Sequence, residues 1–149
     1  MIKKVQYTIS DLEKASDQDL ISVIYDKYVE LISETFGENL DNVNNAFAEF
    51  GAIRILEVEV CNGGFDQFFL IYELELEKFI VEGLEIIGAE KYLPLFKKAI
   101  DIFKNQSCEF ATKRNPAFDI LDDEFYNLEG LEHLQINYIR NNYEKFIVE

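Results

Sequence analysis

Residues 57–69 read EVEVCNGGFDQFF, and this stretch decides how the middle of the chain is organised. Two carboxylates alternate with valines, and then Asn62, Gly63 and Gly64 interrupt the pattern. Because glycine readily adopts positive φ, such a tripeptide can end a helix and redirect the chain. We therefore interpret residues 62–67 as a structural joint between two buried elements.

The residues that follow the glycines predict a new helical turn. Phe65, Phe68 and Phe69 have the i, i+3, i+4 spacing that places side chains on one face of a helix. Asp66 and Gln67 are polar and can bond the free backbone groups at a helix start. A phosphate-binding loop is disfavoured here, because the nearby carboxylates would repel an anion.

Upstream of the joint, the apolar pattern is ambiguous between helix and strand. Residues 53–60 alternate partly like a strand, but spacings of three and four continue from Ala46 to Val60 and favour a helix. Asn39 or Asp41 is a candidate N-cap for it.

Nearer the N-terminus, another apolar stripe runs from Leu20 to Ile32 and predicts a second helix. Ser16 with Asp19 resembles a capping box before it, and Gly37 is a candidate stop after it.

Downstream of the joint, four further stripes predict helices, over residues 76–87, 92–103, 118–128 and 131–139. Gly88 ends the first, Pro94 lies in the first turn of the second, and Gly130 separates the third from the last. Residues 104–117 are interpreted as a loop. We expect an all-α protein with a single compact domain of about six or seven short helices over residues 1–149.

Charge is the strongest global signal in the sequence. The chain has 14 Lys and Arg against 29 Asp and Glu, a net charge of −15. Such a charge disfavours direct nucleic-acid binding, which requires a positive surface, and favours a cationic partner. Because no apolar run has the length of a membrane span and no signal peptide is evident at the N-terminus, we expect a cytoplasmic protein.

The charges are unevenly distributed along the chain. Residues 57–90 carry net −8 and residues 119–149 carry net −6, whereas residues 91–118 carry net +4. The basic block predicts a possible homodimer through an acidic block of a second copy, although it could equally neutralise acids within one chain. The candidate partner-binding carboxylates are Glu75, Glu82, Glu85, Asp119, Asp122, Asp123, Glu129 and Glu132.

Catalytic and metal-binding motifs are absent from the sequence. We find no nucleotide-binding, zinc-protease or hydrolase motif, and we expect no cofactor, metal site or enzymatic activity. His133 is interpreted as a surface or packing residue. A carboxylate pair such as Glu57 with Asp66, or Asp122 with Glu124, leaves a hydrolase open as an alternative.

Four blocks resemble the DNA-mimic protein family, a group of small, acidic, all-helical bacterial domains. The blocks are EVEVCNGGFDQFF at residues 57–69, IIGAEKY at 86–92, FDILDDEFY at 118–126 and YIRNN at 138–142. The resemblance extends over about residues 45–146. One departure follows the aromatic turn, where LIYELELE at residues 70–77 replaces the short polar loop usual in the family.

The resemblance implies a non-enzymatic protein whose carboxylates imitate DNA phosphates. Such a protein would occupy the cationic DNA-binding surface of a transcription regulator or another DNA-binding protein, and would act as a dimer. Two alternatives remain open from the residues: an immunity or antitoxin protein that neutralises a basic toxin or nuclease, and a structural oligomer.

Overall fold

A computed structural model of the protein describes residues 4–34 and 40–148. Within these ranges the chain forms seven α-helices and no strand, which confirms the predicted all-α class. The helices are α1 Ile9–Lys14, α2 Asp17–Glu34, α3 Asn45–Tyr72, α4 Glu77–Ile86, α5 Tyr92–Asn105, α6 Asp119–Asn127 and α7 Leu131–Arg140. No helix in these two ranges combines the length and apolar character that a membrane span requires.

The chain forms two compact units, and the first combines residues 1–51 with residues 132–149. Its centre is Phe146, whose ring meets Phe47 and Phe50 edge-on at centroid distances of 5.3 and 6.5 Å. The amide of Gln135 donates to the backbone carbonyl of Phe50 at 3.2 Å and ties α7 to α3. These contacts pack residues 135–146 against the first section of α3.

The second unit comprises residues 52–131 and contains the joint. Its core is aromatic, because Phe65, Phe68, Phe69, Phe96 and Phe118 are all at most 2% exposed. Aromatic rings carry large apolar areas and prefer stacked or edge-on pairs, both of which occur here. The predicted burial of the three phenylalanines after the glycines is therefore confirmed.

Helix boundaries follow local capping chemistry, with one difference from prediction. The hydroxyl of Ser16 accepts from the backbone N–H of Asp19 at 3.1 Å, as expected. The side chain of Asn44 accepts from Ala46 N–H at 2.9 Å, so Asn44 supplies the bond expected of Asp41. The other candidate cap, Asn39, and the candidate stop, Gly37, lie outside the described residues.

A further helix, α1, escaped the periodicity analysis because it is only six residues long. Thr8 and Asp11 form a complete capping box at its start, with each side chain accepting from the other residue's backbone N–H. The predicted loop over residues 104–117 is also more regular than expected, since Cys108–Ala111 forms a 3₁₀ turn and a second turn begins at Pro116.

Candidate functional site

The joint is a sharp kink inside α3, between residues 45–62 and residues 65–72. Gly63 has φ −149° and ψ 16°, and Gly64 has φ 79° and ψ 177°. The second combination is open almost only to glycine. The predicted helix break is confirmed, and Gly64 is the residue whose missing side chain permits it.

Asp122 in α6 holds one side of the kink. Its Oδ1 accepts from the backbone N–H of Phe65 at 2.8 Å, across 57 residues of sequence. A Cβ on Gly64 would lie only 2.4 Å from Asp122 Oδ2. The carboxylate therefore caps the second section of α3 at a distance that only glycine allows.

Tyr126, four residues after Asp122, holds the other side of the kink. Its hydroxyl donates to the backbone carbonyl of Val60 at 2.9 Å. That carbonyl belongs to the last turn before the break, where helical acceptors lose their normal partners. Because residues four apart share a helix face, α6 satisfies both broken ends at once. We call Asp122 and Tyr126 the α6 clamp.

The prediction that Asp122 belongs to the acidic partner-binding surface is wrong. Asp122 is only 4% exposed, and burial raises the pKa of its carboxyl group. Arg114 lies against it, with a guanidinium nitrogen 3.7 Å from Asp122 Oδ2, and also pairs with Asp119. Asp122 is therefore a structural carboxylate that cannot present its charge to a partner.

Asp66 and Gln67 do not cap the helix in which they lie, contrary to prediction. Asp66 accepts from the backbone N–H of Asn115 at 3.1 Å, and the amide of Gln67 donates to Glu59 at 2.7 Å. Asn115 is itself buried and accepts from Ala117 N–H. Asp66 thus fastens the segment before α6 to the kink.

The Tyr126 hydroxyl makes a measurable contribution to this arrangement. We expect Tyr126→Phe to lower the free energy of unfolding by about 1 kcal/mol, because the buried Val60 carbonyl loses its donor. Urea denaturation followed by circular dichroism measures the change. Tyr25→Phe, on a tyrosine 37% exposed on α2, is the matched control and should cost less than about 0.5 kcal/mol. Equal losses in the two variants would contradict a clamping role for Tyr126.

The other candidate surface carboxylates divide by exposure. Asp119 is half-exposed and held by Arg114, and Glu132 in α7 is half-buried. The remaining five are exposed, namely Glu75, Glu82, Glu85, Asp123 and Glu129. Glu82 and Glu85 project from one helix, α4, at i and i+3, so they are neighbours on its surface.

Three of the four candidate catalytic carboxylates are engaged in other contacts. Glu57 accepts from Arg54 at 2.7 Å, and Asp66 and Asp122 bond backbone N–H groups as described. His133 is exposed, and Cys61 and Cys108 are free thiols at the surface. Across the described parts of the chain, no group of three or more His, Cys, Asp or Glu side chains is arranged to hold a metal ion.

Comparison with known proteins gives one match. A family model described as DMP19-like protein matches residues 41–142, more than half of the chain. No curated protein and no solved structure matches. The matched region contains the whole kink and the α6 clamp.

Proposed function

The chain belongs to the DMP19-like protein family, and from this premise and its charge we propose that it is a non-enzymatic acidic binding protein. It occupies the cationic DNA-binding surface of a transcription regulator or another DNA-binding protein, as a DNA mimic in the cytoplasm. The observation that carries the proposal is the net charge of −15, with net −8 concentrated in residues 57–90. The resemblance of the four motif blocks to the DNA-mimic family supports it.

Helix geometry supports the proposal at short range. Carboxylates at i and i+3 on a helix lie about 5–6 Å apart, and duplex DNA presents one negative charge per roughly 1.7 Å of its axis over both strands. The exposed pair of Glu82 and Glu85 on α4 has this helical spacing. Exposed carboxylates on a rigid helix therefore form a row of negative charge, although less dense than that of a duplex.

Rigidity is the second structural support. A mimic must hold its charges in place, because ordering mobile side chains or segments on binding lowers affinity. The α6 clamp fixes the helix that carries the exposed Asp123, through the bonds of Asp122 to Phe65 and of Tyr126 to Val60. The same helix thus combines a structural carboxylate with one that faces solvent.

The test is an affinity capture from lysate of the native host at low salt, eluted with a salt gradient and identified by mass spectrometry. We expect a DNA-binding protein that elutes with rising salt and is displaced by added duplex DNA, because salt screens charge pairs and DNA competes for the same surface. A captured toxin without affinity for DNA would replace this proposal with the immunity function. Capture that is insensitive to salt would overturn the electrostatic mechanism.

Reversal of two charges on α4 tests the location of the binding surface. We expect Glu82→Lys with Glu85→Lys to weaken binding of the captured protein about tenfold or more at low salt, because like charges now meet at the interface. Isothermal titration calorimetry measures the affinity. Glu13→Lys with Asp26→Lys is the matched control, since both residues are exposed and the net charge changes equally. Equal weakening in the two double variants would show that only total charge matters.

A further inference from the structure

The second unit contains a cleft that the acidic surface does not explain. It has a volume of about 420 Å³, within the usual range of ligand sites. Four phenylalanines from different parts of the unit line it, together with Leu70 and a set of polar residues at its rim. The four are Phe69, Phe103, Phe110 and Phe118.

The aromatic wall of the cleft is already ordered. Phe69 stacks on Phe103 with centroids 4.7 Å apart and planes 10° apart, and on Phe118 at 5.7 Å and 24°. Phe110 is part-exposed, and Leu70 is 68% exposed at the edge. Phe69 and Phe118 are themselves buried, so a large apolar side chain entering the cleft would meet the part-exposed Phe103 and Phe110 and the exposed Leu70.

The charges around the cleft favour a cationic neighbour. Lys113 and Arg114 line it, but Arg114 is bound by Asp119 and Asp122. The lining itself carries two carboxylates, Asp66 and Glu73, and two cations, Lys113 and Arg114. Because Asp119 and Asp122, outside the lining, already neutralise Arg114, the balance at the cleft favours negative charge. Four of the twelve lining residues, from Asp66 to Glu73, belong to the acidic residues 57–90, whose net charge is −8.

One rim residue, Glu73, has an unusual backbone. It follows the end of α3 with φ 49°, the left-handed region in which glycine is preferred. Its N–H donates to the carbonyl of Phe69 at 2.8 Å, so the chain turns directly above the aromatic wall. A glutamate at this position adds a carboxylate at the mouth of the cleft.

We propose that this cleft receives an aromatic side chain of the protein partner, flanked in the partner by Lys or Arg. The inference rests on the proposed function, because it specifies how a basic partner is recognised. Binding energy at protein interfaces concentrates in a few aromatic or Arg anchors seated in pockets, surrounded by weaker polar contacts. The acidic helices steer the partner, and the cleft supplies the specific anchor that charge alone lacks.

The test uses short synthetic peptides with and without tryptophan. The protein chain has no tryptophan of its own, so it adds no background to the tryptophan emission. Tryptophan fluorescence then reports only the peptide. The probes are Lys-Lys-Trp-Lys-Lys, the same peptide with Ala in place of Trp, and Glu-Glu-Trp-Glu-Glu, all blocked at both ends. Because the Ala peptide has no tryptophan, the affinities of the first two peptides are compared by how well each displaces a dye-labelled copy of the Trp peptide. We expect the first to bind about tenfold tighter than the second, with a blue-shifted emission.

Two cleft variants and one control assign the site. Leu70→Ser and Phe110→Ala alter part-exposed or exposed lining residues, and each should weaken the Trp peptide several-fold. Ile120→Ser, at a residue 72% exposed on α6 and absent from the lining, should leave affinity unchanged. Circular dichroism verifies that each variant is folded. Leu70→Ser provides the result if Phe110→Ala does not fold.

The outcomes separate this inference from the proposed function. Equal affinity for the Trp and Ala peptides, or affinity that neither cleft variant changes, would overturn the cleft while leaving an electrostatic mimic intact. Equal binding of the Glu-flanked peptide would overturn the basic partner at this site. Binding of the Lys-flanked peptide that the cleft variants weaken supports the inference. If duplex DNA fails to displace the captured partner, that result counts against DNA mimicry and leaves the cleft inference standing.

Discussion

Replacing Gly64 with alanine is expected to lower the free energy of unfolding by about 4 kcal/mol, the largest loss at any surface or joint position described above. Two effects act together. The backbone at φ 79° and ψ 177° is strained for any residue with a Cβ, and that Cβ would lie 2.4 Å from Asp122 Oδ2 and 2.9 Å from its Cγ. Relief of the clash requires the Asp122 carboxylate to move away and the Phe65 bond to break. Urea denaturation monitored by circular dichroism measures the loss.

Gly88 provides the matched control for this variant. It also has positive φ, at 76°, but a Cβ there would meet nothing within 4 Å. We expect Gly88→Ala to cost only about 1 kcal/mol, the usual penalty of a left-handed backbone. If the two alanine variants lost the same stability, backbone strain alone would account for Gly64, and close approach to Asp122 would have no energetic role.

The second large effect is expected at Asp122. Asp122→Ala should lower the free energy of unfolding by about 2–3 kcal/mol, because the buried N–H of Phe65 loses its acceptor and the second section of α3 loses its cap. Asp122→Asn retains an oxygen for Phe65 and should lose much less. The same denaturation experiment at pH 7 measures both. Equal losses in the two variants would show that charge, and not the hydrogen bond, stabilises the kink.

The pH dependence of the Asn variant gives an independent test. Burial raises the pKa of Asp122 above its ordinary value of 3.8, so the folded state holds the proton more tightly than the unfolded state. The resulting stability is present below pH 3.8 and is lost as pH rises through the folded pKa. Asparagine does not titrate, so stability relative to wild type should increase over that interval. A decrease would mean that the N–H bond and Arg114 outweigh burial.

Much of the secondary structure could be predicted from the sequence because it depends on local patterns. Apolar spacings of three and four identified the helical character of residues 46–60, and the glycine pair identified the break. The capping box of Thr8 with Asp11 is equally local but was missed, because the six-residue helix behind it is too short to show an apolar period. Each of these features is set by neighbours along the chain.

Features set by distant residues could not be predicted. The carboxylates of Asp119, Asp122 and Asp123 look alike in sequence, and only the fold turns Asp122 inward to Phe65. Asp66 likewise bonds Asn115, 49 residues away, and not its own helix. The cleft was missed for the same reason, since Phe69, Phe103 and Phe118 come together only when their helices pack.

The bond between Asp122 and Phe65 also has a consequence for the order of folding. It joins groups 57 residues apart, and closing a flexible segment of that length has an entropic cost of about 3.6 kcal/mol from the chain-length term alone. The packing of Phe65 against Phe125, with centroids 5.7 Å apart, forms in the same closure and offsets part of it. Before α6 docks, the glycines leave residues 65–72 as a short helix without its cap, too short to persist alone. The local sequence therefore permits the kink, but its cap depends on the tertiary contact with α6.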